Sequence, residues 1–273
     1  MTHATDLVYD VGMHNGDDTA YYLWKGYRVI AVEANPALIG PAEKRFAREV
    51  GSGALRIVNV GVAAQRGEAD LFVSSRHDLL GSFDRGSAGR FGGDVQTTRV
   101  PCVPFGDILA AHGVPFYLKV DIEGSDRLCI DALAPPALPP YLSIEMSHES
   151  GDRDIAHLRE LGYARFKCIR QNDLRVIDPD NIGRQLALRR VRARGGLASL
   201  TARALWRLAR LANRPRDGEW AFTPKASGPF GADLAGRWLP AGEMLGVWQA
   251  LHDVDLELAA GGLGEWFDIH AAL

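Results

Sequence analysis

Short continuous apolar runs alternate with stretches of helical spacing over the first 170 residues of the chain. Residues 6–12 (DLVYDVG), 27–34 (YRVIAVEA) and 55–62 (LRIVNVGV) read as strands, with helices predicted over 17–25 and 36–50 between them. Further extended pieces are predicted over 69–75, 100–105, 116–122 (FYLKVDI), 141–147 (YLSIEMS) and 164–171 (ARFKCIRQ). Helices are predicted over 106–112, from Ser125 onward, and over 154–161, while the Gly-rich polar stretch 82–98 reads as a loop. Alternation of this kind predicts an α/β fold, a mostly parallel sheet with helices on both faces.

The next strand in the pattern, 266–270 (WFDIH), comes roughly ninety residues after the last, far beyond an ordinary connection. An inserted helical or irregular segment is therefore expected before the last strand. The expected division is a core over 1–175, an insertion over 176–262, and a returning strand over 263–273. Within the insertion, Leu197, Leu200, Ala204, Leu208 and Leu211 recur at helical spacing, with Arg203, Arg207, Arg210 and Arg214 on an adjoining face.

Charge sharpens that division. The formal net charge of the 273 residues is −3, which excludes a chain that wraps a polyanion over its whole surface, and no nucleic-acid partner is expected. Residues 184–216, however, hold ten arginines and no acidic residue; without those ten of its 31 basic residues the chain carries 21 against 34 acidic ones. A basic amphipathic helix over 197–214 suits peripheral contact with an anionic membrane or an acidic partner. The plainer reading is that its leucines cover the domain and its arginines are solvated. Apolar residues at 47% and charged residues at 24% are ordinary for a folded protein. Cys102, Cys129 and Cys168 are odd in number and widely separated, which fits buried thiols in a reducing compartment. With no leader-like N-terminus and no apolar run long enough to span a bilayer, a cytoplasmic location is expected.

Three segments carry chemistry. DVGMHNG, residues 10–16, places glycines in a turn before a helix, where backbone can approach a ligand and the helix N-terminus favours an anion. A dinucleotide fingerprint would have its first glycine where Asp10 stands. An acid there repels a pyrophosphate and attracts an ammonium, so S-adenosylmethionine, which ends in an amino acid, fits better. Glu33 closes the second strand about twenty residues after the turn, the spacing of an acid that accepts bonds from ribose hydroxyls. LKVDIEGSD, residues 118–126, places Asp121 and Glu123 at the end of a strand expected beside the first, facing the same crevice as Asp10 and Gly12. These carboxylates suit a cationic ligand, and with Glu145 or His148 they would also suit a divalent metal, although no close ligand pair marks one.

VYDVGMHNGDDTAYYL, VIAVEANP and YLKVDIEGSD together resemble the FkbM family of S-adenosylmethionine-dependent methyltransferases, which mostly methylate hydroxyl oxygens of natural products and glycans. The resemblance spans residues 7–171, with a return at 227–238 (SGPFGADLAGRW), and implies a Rossmann-like class I methyltransferase fold with a seven-stranded sheet. It implies that Asp10, Gly12, Asn15 and Gly16 belong to the cofactor loop, Glu33 to the ribose, Asn59 to the adenine region, and Asp121 to the site of the reactive methyl. No metal is implied. The long arginine-rich insertion departs from the family pattern and leaves the acceptor open among a small molecule, a glycan and a lipid-linked substrate.

The expected reaction is in-line displacement by an acceptor hydroxyl, with Asp121 shaping the methyl-transfer site and His148 as candidate base. Tyr21, Tyr22 and Trp24 follow the turn 10–16, where contact with an acceptor is one reading and packing of the first helix the expected one. Two other readings stand beside this one. One is a non-catalytic adaptor that keeps the cofactor pocket and binds an anionic partner or membrane through its arginine helix. The other is a nucleotide-dependent oxidoreductase, which Asp10 disfavours. The oligomeric state is open.

Overall fold

The computed structural model describes residues 4–74, 81–89, 93–122, 124–147, 150–193, 201, 204, 215–223, 226–258 and 265–273. The chain forms two compact units, Met1–Ile144 and Glu145–Leu273.

In chain order the first unit runs β1 (Ala4–Val11), α1 (Asp17–Trp24), β2 (Arg28–Val32), α2 (Pro36–Arg45), α3 (Ala47–Ser52), β3 (Leu55–Val58), β4 (Gly61–Val62) and β5 (Gly67–Ser74). It continues through β6 (Gly81–Ser82), α4 (Arg85–Gly89), β7 (Val95–Val103), α5 (Phe105–His112), β8 (Pro115–Val120), α6 (Asp126–Asp131) and β9 (Tyr141–Glu145). Strands β3, β2, β1, β8 and β9 lie side by side in that order, all parallel. Val8, Tyr9, Val11, Val29, Ala31, Val32, Leu118, Val120, Leu142 and Ile144 are all buried, as near-continuous apolar runs are in a sheet covered on both faces. The α/β expectation holds. Register fixes what matters for function: Val11 stands opposite Val32 on one side and opposite Val120 on the other. Gly12, Glu33 and Asp121 therefore leave the sheet side by side, at the carboxyl edge of three adjacent strands.

Two sequence expectations change here. Residues 55–62 do not make one strand. β3 pairs with β2 in the parallel sheet, whereas β4 pairs with β7 in a second, four-stranded sheet of order β4-β7-β5-β6. The break falls at Asn59, whose side chain bonds the backbone at the end of β2 instead of continuing the ladder. The stretch 82–98 is not all loop, since α4 and the start of β7 lie within it. β7 pairs antiparallel with β5 from Val95 to Cys102, a partner that local periodicity does not show. Leu71, Val100 and Cys102 form this sheet's own small core.

The second unit holds α7 (Gly151–Leu161), β10 (Arg165–Arg170), β11 (Arg175–Ile177), α8 (Ile182–Ala193), β12 (Arg216–Asp217), β13 (Trp220–Ala221), α9 (Ala241–Glu257) and β14 (Phe267–Ala272). β10 pairs antiparallel with β14 on one side and with β11 on the other. The long helix α9 falls in the segment expected to be helical or irregular, where the sequence pattern marked no helix bounds. It buries Met244, Val247, Trp248, Leu251 and Val254, one face at spacings of three and four, and packs on α7, α8 and β10.

Buried charge organises this unit. Arg170 and Arg189 are 4% and 2% exposed, and both reach the fully buried Glu265 carboxylate, at 3.5 and 2.9 Å. Arg170 also holds Asp173 at 2.6 Å, and Arg189 pairs with Asp255. Arg189 and Arg190 belong to the arginine-rich stretch, yet one is internal and the other pairs with Glu257 of α9. The basic helix expected over 197–214 lies outside the described residues, but for Thr201 and Ala204, which are helical. All three cysteines are free and buried, as expected. Among the described residues no helix is long and apolar enough to cross a membrane.

Candidate active site

The turn after β1 is built by its glycines and by a left-handed histidine. Gly12 adopts φ +88, and an added Cβ would lie 1.8 Å from the Asp121 carbonyl oxygen, so only glycine lets the ends of β1 and β8 meet. Gly12 and Met13 donate their N–H groups to the Val32 carbonyl at 2.9 and 3.0 Å, which ties the same turn to the end of β2. Gly16, at φ +79, sits against the Phe46 ring and ends the turn at α1. Asn15 is exposed, and its Oδ1 accepts from Asp17 N at 3.0 Å in an Asx turn just before α1, whose N-cap is Gly16. His14, at φ 51, turns its N–H toward the Glu33 carboxylate, 2.8 Å away.

Glu33 is 9% exposed, and each of its oxygens already accepts one backbone bond at 2.8 Å, from His14 N and from Asn35 N. Burial raises its pKa, against those two bonds, which favour the charged form. Each carboxylate oxygen keeps a second lone pair for a ligand hydroxyl. Asn59 does not stand free beside it: its Nδ2 donates to the Glu33 carbonyl at 2.8 Å and to the Ala34 carbonyl at 3.3 Å, and so orients the strand end that carries the acid.

Asp10 is fully buried. Its Oδ2 accepts from the Thr19 hydroxyl at 2.6 Å, and its Oδ1 lies 3.0 Å from the Lys119 ammonium. The expectation that Asp10 offers an open charge to a ligand ammonium thus meets a carboxylate engaged from within the protein. Lys119 is 3% exposed, donates to the Gly12 carbonyl at 2.9 Å and lies 3.8 Å from Asp121 Oδ2. Burial alone would lower its pKa, but Asp10, Asp121 and Asp18 outweigh that and hold it well above the ordinary lysine value. Asp121 keeps a partly open side chain, 27% exposed. Asp126 braces the loop that follows, its two oxygens accepting from Ile122 N and Gly124 N at 3.0 Å each. Burial and the Asp121 charge push its pKa up to about 6.

The structure therefore brings together Asp10, Gly12, Asn15, Gly16, Glu33, Asn59 and Asp121 at one edge of the first unit. Glu123 and His148 lie outside the described residues. Glu145 falls in the second unit. Among the described residues no three His, Cys, Asp or Glu side chains gather as metal ligands. Tyr21 and Tyr22 are fully buried in ring contacts with Trp24 and Tyr117, as packing of the first helix requires. Sequence reading missed Thr19, Lys119 and Asp126. A signal existed for Lys119: a lysine inside the run FYLKVDI, on a strand buried on both faces, needs a carboxylate partner nearby.

Solved structures are similar to this chain at low TM-score. Precorrin-6y C5,15-methyltransferase from Geobacter metallireducens shows 14% identity and a TM-score of 0.35, over 62% of this chain and 69% of that one. Precorrin 8w decarboxylase from Methanobacterium thermoautotrophicum shows 17% identity and a TM-score of 0.34, over 62% and 68%. No curated protein matches the chain. The family model of the methyltransferase FkbM domain matches residues 10–165, a span that opens at Asp10 and contains Glu33 and Asp121. Matched over more than half of its length, the chain belongs to the FkbM methyltransferase domain family.

Proposed function

We propose that the protein is an S-adenosylmethionine-dependent O-methyltransferase with a Rossmann-like class I fold, acting on a hydroxyl of a glycan, a glycolipid or another natural product. The observation that carries this reading is the common edge shared by Gly12, Glu33 and Asp121, set by the register of β1 with β2 and β8. The donor set fits the cofactor. Carboxylates of Asp10, Asp18 and Asp121 surround one lysine, so the charge balance of the edge favours a cation. Glu33 keeps acceptor capacity at the strand end where a ribose is bound in nucleoside-binding α/β folds.

When bound, the cofactor supplies a methyl on a sulfonium sulfur: the acceptor oxygen forms the C–O bond as the C–S bond breaks and its electron pair returns to sulfur. The chain's own residues then have three tasks. The turn 12–16 orients the amino-acid end through backbone groups that Gly12 allows to approach. Glu33, held by His14 N and Asn35 N and steered by Asn59, orients the ribose. Asp121 faces the cationic centre, and His148 is the proposed acceptor of the hydroxyl proton. The acceptor side is assigned to 176–262, the location to the cytoplasm with peripheral membrane contact through 197–214.

Calorimetric titration of the full chain with S-adenosylmethionine and S-adenosylhomocysteine tests the reading. Both should bind, and Glu33→Gln should weaken both. Absence of binding by the folded protein overturns it. Single-turnover transfer to hydroxyl acceptors tests the base, and an unchanged rate in His148→Ala removes His148 from the mechanism.

A further inference from the structure

Asp10 and Lys119 make a buried ion pair at 3.0 Å with no more than a few percent of either side chain exposed. The same ammonium stands 3.8 Å from the partly open carboxylate of Asp121 and donates to the carbonyl of Gly12. Asp18 on α1 and Glu33 at the end of β2 also act on it. One lysine is thus shared between a carboxylate closed to ligands and one that is open to them. Its charge decides how much of the negative potential created by these acids reaches the edge of the sheet.

We propose that Lys119 is a specificity-determining residue: by cancelling Asp10 and partly offsetting Asp121, it sets how strongly the site prefers the sulfonium substrate over its neutral thioether product. This inference rests on the S-adenosylmethionine reading above. The two ligands share their adenosine and amino-acid parts and differ by one methyl and one positive charge at sulfur. Anything that merely loosens the turn or the strand ends weakens both alike. The ratio of their dissociation constants instead responds to the potential at the sulfur, and so to uncompensated charge nearby. A unit charge acting over about 10 Å at an effective dielectric of about 20 changes such a ratio by about tenfold.

The test is a pair of variants titrated with S-adenosylmethionine and S-adenosylhomocysteine. Asp10→Asn keeps the shape and removes the nearer carboxylate partner of Lys119, adding one net positive charge beside Asp121, so the preference for the sulfonium ligand should fall by about tenfold. The double variant Asp10→Asn/Lys119→Met removes both charges as a neutral pair and should restore a ratio within about threefold of wild type, even if both affinities drop. A wild-type ratio in Asp10→Asn overturns the inference, as does a double variant that keeps the ratio of Asp10→Asn. If wild type binds neither ligand, the methyl-donor reading itself falls and takes this inference with it.

Discussion

Replacing Gly12 by alanine tests how closely the ends of β1 and β8 are joined. An ideal Cβ there would lie 1.8 Å from the Asp121 carbonyl oxygen and 2.8 Å from its carbon. Both atoms are backbone, and Asp121 N is bonded to the Val11 carbonyl at 2.9 Å, so neither chain can retreat without opening the strand pair. The substitution also strains a backbone at φ +88. Gly26 offers the internal reference: its φ is +90, and nothing lies within 4 Å of an added Cβ. Gly26→Ala should therefore show left-handed strain alone, about 1–2 kcal/mol. Gly12→Ala adds overpacking of about 1–3 kcal/mol, for a total of about 2–5 kcal/mol. Gly16→Ala should fall between them, because its Cβ meets the Phe46 ring at 2.6 Å and a ring can shift where a carbonyl cannot. Urea unfolding reads the series: all three positions lie in the first unit, so midpoints should move at a constant slope, in the order Gly12, Gly16, Gly26. Equal midpoint shifts for Gly12→Ala and Gly26→Ala would refute the close approach, and with it the geometry assigned to the turn after β1.

Two further predictions concern the second unit. His270 is buried opposite Lys167 in the β10–β14 register, and burial, with the Lys167 charge, lowers its pKa from 6.5 to about 3. The unfolded chain therefore takes the proton first: the stability due to neutral His270 is fully present above pH 6.5 and is lost as pH falls toward 3, with a slope approaching about 1.4 kcal/mol per pH unit. His270→Gln should flatten that slope in urea midpoints measured from pH 7 to 4, and an unchanged slope refutes the assignment. Arg189→Met should cost about 3–5 kcal/mol, because it leaves the buried Glu265 carboxylate short of a partner. Arg190→Ala breaks the exposed pair with Glu257, which solvent screens, and should leave the urea midpoint almost unchanged. Similar midpoint shifts for the two arginines would show that the Glu265 pair is not buried in solution.

Most of the site was readable as residue types at strand ends. Asp10, Gly12, Gly16, Glu33 and Asp121 were identified because a glycine turn, an acid twenty residues on, and a carboxylate ending an apolar strand are local patterns. Their partners were not local. Thr19 and Lys119 reach Asp10 from a helix and from another strand, and the separation of 109 residues between Asp10 and Lys119 appears in no window of the sequence. Asn59 is expected near the adenine region, and its bonds to the Glu33 and Ala34 carbonyls give it a supporting task that residue type alone does not reveal. Counting charge along the arginine-rich stretch treats all its members alike. Arg189 goes inward because Glu265 and Asp255 are brought to it from the far end of the chain.

The sequence by itself determined the α/β class, the parallel strands of the first unit, and the residues that stand at their carboxyl ends. Backbone periodicity and glycine placement act over a few residues, and they leave their mark within that range. Only the tertiary structure decided which acids remain open to a ligand. Asp10 and Asp121 look equivalent as strand-end carboxylates; in the fold one is closed under Lys119 and Thr19, while the other keeps a partly exposed side chain. The physical reason is that a buried charge is tolerable only when an opposite charge is folded against it, and which charge arrives there is settled by strand register.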